Sequence, residues 1–577
     1  MAKRVQYILL GLLGGLAFWG LASAPADWHA ARGFVGAAIF AAVFFGAVLA
    51  MLGDLGPRRA LLSAGALALG VAALGLLKSF GFVDAGQMLG TGHVVVALLT
   101  LASLPVPFLI ARELGGKGHW VDYQVLFIET WNILVRYAAA WLFVGTVWLV
   151  LWLLAMLLRL VGVEALADLL GSAPAIWLVS GAALGLGLSV VTEMPDMVSP
   201  YLLLRLFRLL LPLVLAVELV FVAVLPLRGL THLFGHLSAA GILIATALAA
   251  IGLVSVAVDQ DDVEAAHDRV LPVAGRGLAM LLPLLAGLAI WALAERVTAH
   301  GWTPMRVTAA AGSGVIAGYG VLYAASVLTG RRWMGWIRRA NVAMALGMIG
   351  LAALWLTPLI SPETIATRSQ MARFEAGRIA EDQLPLWQFA HDWGKPGAAA
   401  LADLRARAAA PEGAALAMQL ARLDRAVGPW DLEPTVSRDL ATRASELRGV
   451  VAVLPAGAVA PEALLEEIAR LGDESWAPGC AAPTAAGNPG CLIWLGDLAP
   501  ARPGREALFL RAAGGTAGTL ALRESGTLWQ IATPVFPDGG AAPAGAALID
   551  ALSAGAEPVA ADLRALSFGG RQVTILP

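Results

Sequence analysis

The sequence predicts an all-α polytopic membrane helix bundle of about 11 transmembrane helices, followed by a helical neck and a small α+β soluble domain. Three observations carry this reading. The chain is 59% hydrophobic and 14% charged, with a mean hydropathy of +0.76, whereas soluble domains sit near about 45–50% apolar and about 25% charged. Its apolar residues gather into eleven runs, each near the roughly 20 residues needed to cross a bilayer. The charge density breaks near Ser361: residues 1–360 hold 21 basic and 17 acidic side chains, and residues 361–577 hold 18 and 24 in far fewer positions. The three expected domains are therefore 1–360, a transmembrane module; 361–450, the neck; and 451–577, the α+β domain. A soluble enzyme, a disordered chain and a disulfide-dense secreted domain are excluded by composition. The net charge of −2 offers no basic surface for nucleic acid.

The apolar runs lie near 5–24, 33–52, 60–77, 92–111, 137–158, 173–192, 207–226, 238–258, 274–294, 307–329 and 341–360. They are read as helices, because every backbone amide in lipid must be bonded internally. The first run, with Lys3, Arg4 and the small residues Ala22, Ser23 and Ala24, has the outline of a signal peptide. Pro25 follows at once and disfavours cleavage, so the run is read as a retained anchor. The fifth run has an amphipathic lead-in over 121–136. The pairs Gly181/Gly185 and Gly314/Gly318 are spaced to let helices approach closely.

Basic residues beside the spans set orientation. The N-terminus and even-numbered loops carry Lys3, Arg4, Arg58, Arg59, Arg112, Lys117, Arg136, Arg205, Arg208, Arg269, Arg276, Arg331, Arg332, Arg338 and Arg339. The odd-numbered loops carry only Arg32, Lys78, Arg159, Arg228, Arg296 and Arg306. This split of 15 to 6 places the N-terminus in the cytoplasm. Eleven spans then place the C-terminal domain in the periplasm, making this a multi-pass protein of a bacterial inner membrane. Cys480 and Cys491, the two cysteines, both fall in the soluble module, flanking a turn-rich segment. In an oxidising compartment they read as a local disulfide; the alternative is two small core residues.

In the soluble module, helix-like spacing covers 365–379, 397–408, 412–426 and 438–448. A β-like run at 450–454 and a helix at 461–471 follow. Strand-like runs come next at 491–495, 507–511, 519–523 and 528–534, then a helix at 543–553 and a last strand at 572–576. No phosphate-binding glycine pattern, GxSxG elbow or HExxH occurs there. An acidic domain without such a pattern points to interaction or shielding rather than catalysis, so no catalytic residue and no cofactor is assigned.

The stretch from about Tyr201 to Arg378 contains YLLLRLFRLLLPL, LPLRGL, ERVTAHGWTPMR and RSQMARFEAGR. In this order and spacing it resembles a family of bacterial polytopic membrane proteins catalogued as domain of unknown function 4153. The most specific piece is Glu295, Arg296, Gly301, Trp302, Thr303, Pro304 and Arg306. The resemblance implies a fold and carries no catalytic residues with it.

Several groups are candidates for chemistry. Glu218 is the carboxylate nearest the middle of a span, and an ionisable group there is a functional candidate for proton carriage or headgroup binding. The alternative is a protonated carboxyl bonded to a neighbouring helix. Glu295, Arg296, Trp302 and Arg306 form either an outward-facing ligand site or a rigid re-entry turn with an interfacial tryptophan. Five histidines, His29, His93, His232, His236 and His300, fall on the expected outer face, and His232 and His236 are weak metal candidates. The acidic run Asp259, Asp261, Asp262, Glu264 and Asp268 reads as a solvated helix N-terminus; the alternative is recruitment of a divalent cation or a basic partner. Arg331, Arg332, Arg338 and Arg339, with Trp333 and Trp336, read as an anchor to anionic headgroups.

Two functional readings stand level: transport or lipid handling, and an envelope scaffold or regulator. The expected partners are membrane lipids and a periplasmic or envelope protein. A polyprenyl-linked glycosyltransferase-like enzyme is the alternative. It is disfavoured because the first outer loop is short and carries Asp27 as its sole carboxylate.

Overall fold

In a computed structural model of the chain, eleven helices among the described residues are long and apolar enough to cross a membrane. The structure describes all positions except 1, 26–27, 29–30, 116–118, 194–199, 229–238, 267–268, 411–412, 433, 473–475, 499–503, 513–517, 527, 533–543, 556–565, 569–570 and 574–577. The first three spans are α1 (Ala2–Ala22), α2 (Arg32–Leu55) and α3 (Pro57–Ser79). After a short α4 (Ala85–Leu89), the fourth span is built from α5 (Gly92–Ser103) and α6 (Pro105–Gly115). Pro105 divides them, since proline cannot supply the helix-interior N–H.

The fifth span, α7 (Tyr123–Leu160), is continuous over 38 residues. At the α-helical rise this is about 57 Å, well beyond a hydrocarbon core of about 30 Å. The amphipathic lead-in is thus the first part of one rod. It is tied to α2 by an Arg136–Asp54 ion pair at 3.0 Å and by the Tyr137 hydroxyl donating to the Gly46 carbonyl at 2.6 Å. A short α8 (Ala165–Gly171) leads to α9 (Ala173–Glu193), α10 (Pro200–Arg228), α11 (Ala239–Val258), α12 (Leu271–His300), α13 (Pro304–Leu328) and α14 (Trp333–Trp355).

Glycine sets the closest approach in the bundle. A Cβ on Gly11 of α1 would collide with the Gly181 carbonyl of α9, and one on Gly185 with the Tyr7 carbonyl. Backbones there meet without intervening side chains, the arrangement that small residues permit in membranes. The other expected pair behaves differently: nothing lies within 4 Å of a Cβ at Gly314, and Gly318 meets only the flexible end of Met344.

Among its described residues, 259–264, the acidic run after α11 is a turn rather than the expected helix N-terminus, and three of its carboxylates are engaged. Buried Asp259, at φ 50°, pairs with Arg208. Asp261 accepts the backbone N–H groups of Val263 and Glu264, both at 2.9 Å. Arg338 donates to the carbonyls of Val258 and Asp259 and pairs with Asp262 at 2.7 Å.

The chain divides into two compact units, Met1–Ala417 and Met418–Pro577, where the sequence reading set boundaries at 360 and 450. The first unit extends past the last span because α15 (Pro362–Glu375) and α17 (Gly394–Ala408) are bonded back to the membrane module, with α16 (Leu386–His391) packed on α17. The Lys395 N–H donates to the Gly81 carbonyl at 2.9 Å, and α15 docks on α12 as described below. The boundary falls within α18 (Ala414–Leu423).

The second unit holds α19 (Pro434–Val450), β1 (Ala452–Leu454), α20 (Glu462–Leu471), α21 (Trp476–Cys480), β2 (Cys491–Gly496), β3 (Glu506–Arg511), β4 (Thr519–Ser525), β5 (Leu528–Ala532), α22 (Gly545–Ser553), β6 (Leu566–Phe568) and β7 (Arg571–Val573). Strands β1 to β5 form one sheet in sequence order, with β1 parallel to β2 and the rest antiparallel. Side chains alternate across it: Ile493, Phe509 and Leu522 pack on Leu464, Leu465 and Ile468 of α20, while Leu492 and Leu510 pack on Ile549 of α22. Cys480 and Cys491 are bonded, with Cα atoms 4.8 Å apart.

The glycine contrast gives a direct test. Gly181→Ala should cost about 1–3 kcal/mol by overpacking, read as an earlier thermal unfolding of the detergent-solubilised protein. Gly314→Ala, facing open space, should leave the transition unmoved.

Candidate functional site

The strongest constellation in the first unit lies where three distant segments meet. Lys78 is in the last turn of α3 and Glu363 in the first turn of α15. Each charge suits the partial charge of its own helix end. Ser361 caps α15: its hydroxyl accepts the Thr364 N–H at 3.3 Å and donates to Glu363 Oε2 at 3.0 Å. Lys78 Nζ lies 2.8 Å from the same oxygen, with both side chains about 5% exposed or less. Burial pushes the Glu363 carboxyl up, but the Lys78 ammonium beside it prevails and holds it below its ordinary value.

His93, the second residue of α5, completes the cluster. Trp355 at the end of α14 donates its indole N–H to His93 Nδ1 at 3.1 Å. An acceptor at Nδ1 places the neutral ring's proton on Nε2. That nitrogen faces Glu363 Oε1 at 3.6 Å, too far for a hydrogen bond. Both atoms are buried without a hydrogen-bond partner among the described residues. The cluster therefore presents one N–H donor and one carboxylate acceptor, each with bonding capacity to spare.

His93 lines two cavities. Towards the loops lies a vestibule of about 600 Å³, walled by the α4–α5 turn, the start of α13 and α16, with Gln87, Thr91, Thr303, Gln388, His391 and Asp392 among its lining residues. Burial pushes the Asp392 carboxyl up, partly offset by His391. Deeper between α5, α13 and α14 lies a slot of about 190 Å³ lined by Val96, Ala97, Thr100, Thr308, Ala311, Gly312, Val315, Met348, Leu351, Ala352 and Trp355. Thr100 and Thr308 donate their hydroxyls to carbonyls of their own helices, so the slot is apolar in effect. On α13 the lining passes from 303–305 in the vestibule to 308, 311, 312 and 315 in the slot, the 3.6-residue period of one helix face.

The other candidate residues fall elsewhere. Arg306 donates to the carbonyls of His300 at 3.3 Å and Gly301 at 2.6 Å. Gln370 of α15 donates to those of His300 and Trp302, both at 3.0 Å, and Arg373 to those of Thr298 and Ala299. The Trp302 N–H donates to the Ser369 hydroxyl. These groups satisfy the carbonyls that the end of α12 leaves open. The segment is thus a joint that seats α15, with Trp302 half-buried against the core. Glu295 and Arg296 are exposed on α12, and neither they nor Arg306 line the two cavities. Glu218 is 2% exposed on α10, and neither of its oxygens has a hydrogen-bond partner among the described residues; it lines neither cavity. His232 and His236 lie outside the described residues, as do His29, Asp27 and Asp268. No group of three or more potential metal ligands occurs among the described residues.

Removing one partner of the buried pair leaves an uncompensated charge, so Lys78→Met should destabilise by about 3–5 kcal/mol. The double variant Lys78→Met with Glu363→Leu should recover most of that loss in the same denaturation assay. Glu363 is depressed in the folded state, so its contribution is present above the unfolded carboxylate value and disappears as pH falls through the lower folded one. Wild-type stability should therefore drop as pH falls below about 4.5, and Glu363→Gln should flatten that limb. No family model, curated protein or solved structure matches the chain.

Proposed function

We propose that this protein handles a lipid-like amphiphile, taking part of an apolar chain into the slot and the polar head into the vestibule. The observation that carries the reading is the pairing of the two cavities through His93. Ligand sites are mostly apolar with a few placed polar groups, and the two qualities are here separated along one helix face. A cavity of about 150 Å³ holds a benzene-sized molecule, so the slot takes a segment of one chain while the remainder stays in the bilayer. The paired state of Lys78 and Glu363 leaves no net charge to repel hydrocarbon. His93 Nε2–H and the vestibule residues supply donors and acceptors for a head group.

The bias of 15 basic residues to 6 supports a cytoplasmic N-terminus in a bacterial inner membrane. The second unit and the vestibule then face the periplasm, where the Cys480–Cys491 bond is chemically at home. Membership of the family of domain of unknown function 4153 belongs to the same reading, resting on the segment from Glu295 to Arg306.

The test is lipid retention. Full-length protein purified in mild detergent should carry a lipid that extraction and mass spectrometry detect. Ala97→Phe with Ala311→Phe fills the slot and should reduce that lipid about tenfold or more, the equivalent of a single lost apolar contact region of about 1.4 kcal/mol. Equal lipid content in both proteins would remove this reading and leave the scaffold role.

A further inference from the structure

At the opposite end of α13 and α14 from the vestibule, three arginines line a third concavity. Gly330, at φ 72°, ends α13 and turns the chain into a single 3-10 turn, Gly330–Arg332, from which α14 starts. Trp333 is 2% exposed and packs into the core, with Arg276 of α12 over its ring at 5.2 Å. This pins the turn. Arg331, Arg332 and Arg339 stay exposed around a pocket of about 300 Å³ whose wall is completed by Met334, Trp336 and Asp262. Arg339 lies over the Trp336 ring at 4.8 Å, which orients its guanidinium.

The nearby acid is already committed. Asp262 pairs with Arg338, and Arg338 is further engaged with two backbone carbonyls. Among the described residues no carboxylate pairs with Arg331, Arg332 or Arg339. Three guanidinium-bearing side chains thus line one concave site whose single lining carboxylate, Asp262, is paired with a fourth arginine, Arg338. Planar guanidinium forks match phosphate oxygens two at a time. The site sits where a span leaves the bilayer, beside exposed Leu328 and a half-exposed Trp336, the depth at which tryptophan and head-group phosphates lie.

We propose that this pocket binds the phosphate of an anionic phospholipid head group, with Arg331, Arg332 and Arg339 as its ligands and Trp336 packed against the glycerol side. The site is separate from the His93 cavities and does not depend on their role. The shared chemistry is a phosphate anion, and a free phosphate is the competing source.

The experiment uses the full chain in detergent, with phosphatidylglycerol or phosphatidylcholine added and adducts counted by native mass spectrometry. Each arginine near anionic lipid is worth roughly fivefold in affinity, so Arg331→Gln with Arg332→Gln and Arg339→Gln should weaken phosphatidylglycerol binding roughly a hundredfold. Phosphatidylcholine binding should stay unchanged. Arg58→Gln with Arg59→Gln, also exposed and basic, should have little effect on either lipid. Equal losses in the two variants would reduce the effect to bulk charge and overturn the site. Displacement of phosphatidylglycerol by millimolar inorganic phosphate, without any role for the acyl chains, would overturn the lipid assignment. The substituted side chains are exposed, and an unchanged unfolding temperature of the triple variant confirms that any loss is one of binding.

Discussion

The buried Lys78–Glu363 pair is the constraint on which one end of the bundle depends. Taking two charges out of water costs several kcal/mol per ion, and the cost is recovered only with good geometry and further hydrogen bonds. Here the ammonium, the Ser361 hydroxyl and the helix dipoles converge on one carboxylate oxygen. Because the partners come from α3 and α15, the pair fixes a helix that follows the last span to one near the start of the chain. The carbonyl joint between α12 and α15 holds the same helix from its other end. With α15 fixed, α16 is placed to wall the vestibule, and His93 is held between Trp355 and Glu363.

The site therefore combines rigidity with unused bonding capacity. Every charge in it is paired, yet His93 Nε2 and Glu363 Oε1 each lack a hydrogen bond among the described residues. Orphaned buried polar atoms are uncommon, and each calls for a physical reason. The head group proposed above, reaching the shared wall of the two cavities, would supply one. Glu218 shows the same lack of partners among the described residues but lines neither of the two cavities, which sets it apart from the His93 cluster.

The bundle was legible in the sequence because lipid imposes a long, uninterrupted apolar run on each span. The strands of the second unit were legible through alternation, and their limits in the structure differ by a few residues at most for β2 to β4. The site was not legible in the same way. Lys78 at the end of an apolar run has the outline of a snorkelling residue, and Glu363 that of a first-turn acid. Their 285-residue separation leaves no local spacing to detect. The joint at Thr298–Arg306 was visible as a motif, but sequence alone could not tell side chains that bind a ligand from side chains that close a helix end. Helix-like spacing over 365–379 marked α15 itself, and its RSQMARFE segment holds Ser369, Gln370 and Arg373, which make that joint.

The separation of Lys78 from Glu363 also imposes an order of assembly. Synthesis runs from the N-terminus, so α3 and its lysine are in place long before the glutamate exists. Until then the ammonium must remain hydrated at the water interface, since an isolated charge is not tolerated in the dry interior. The lysine can turn inward only after all eleven spans have been made and α15 has emerged on the same side. This pair can thus close only once both an early helix and the helix after the last span have reached their places.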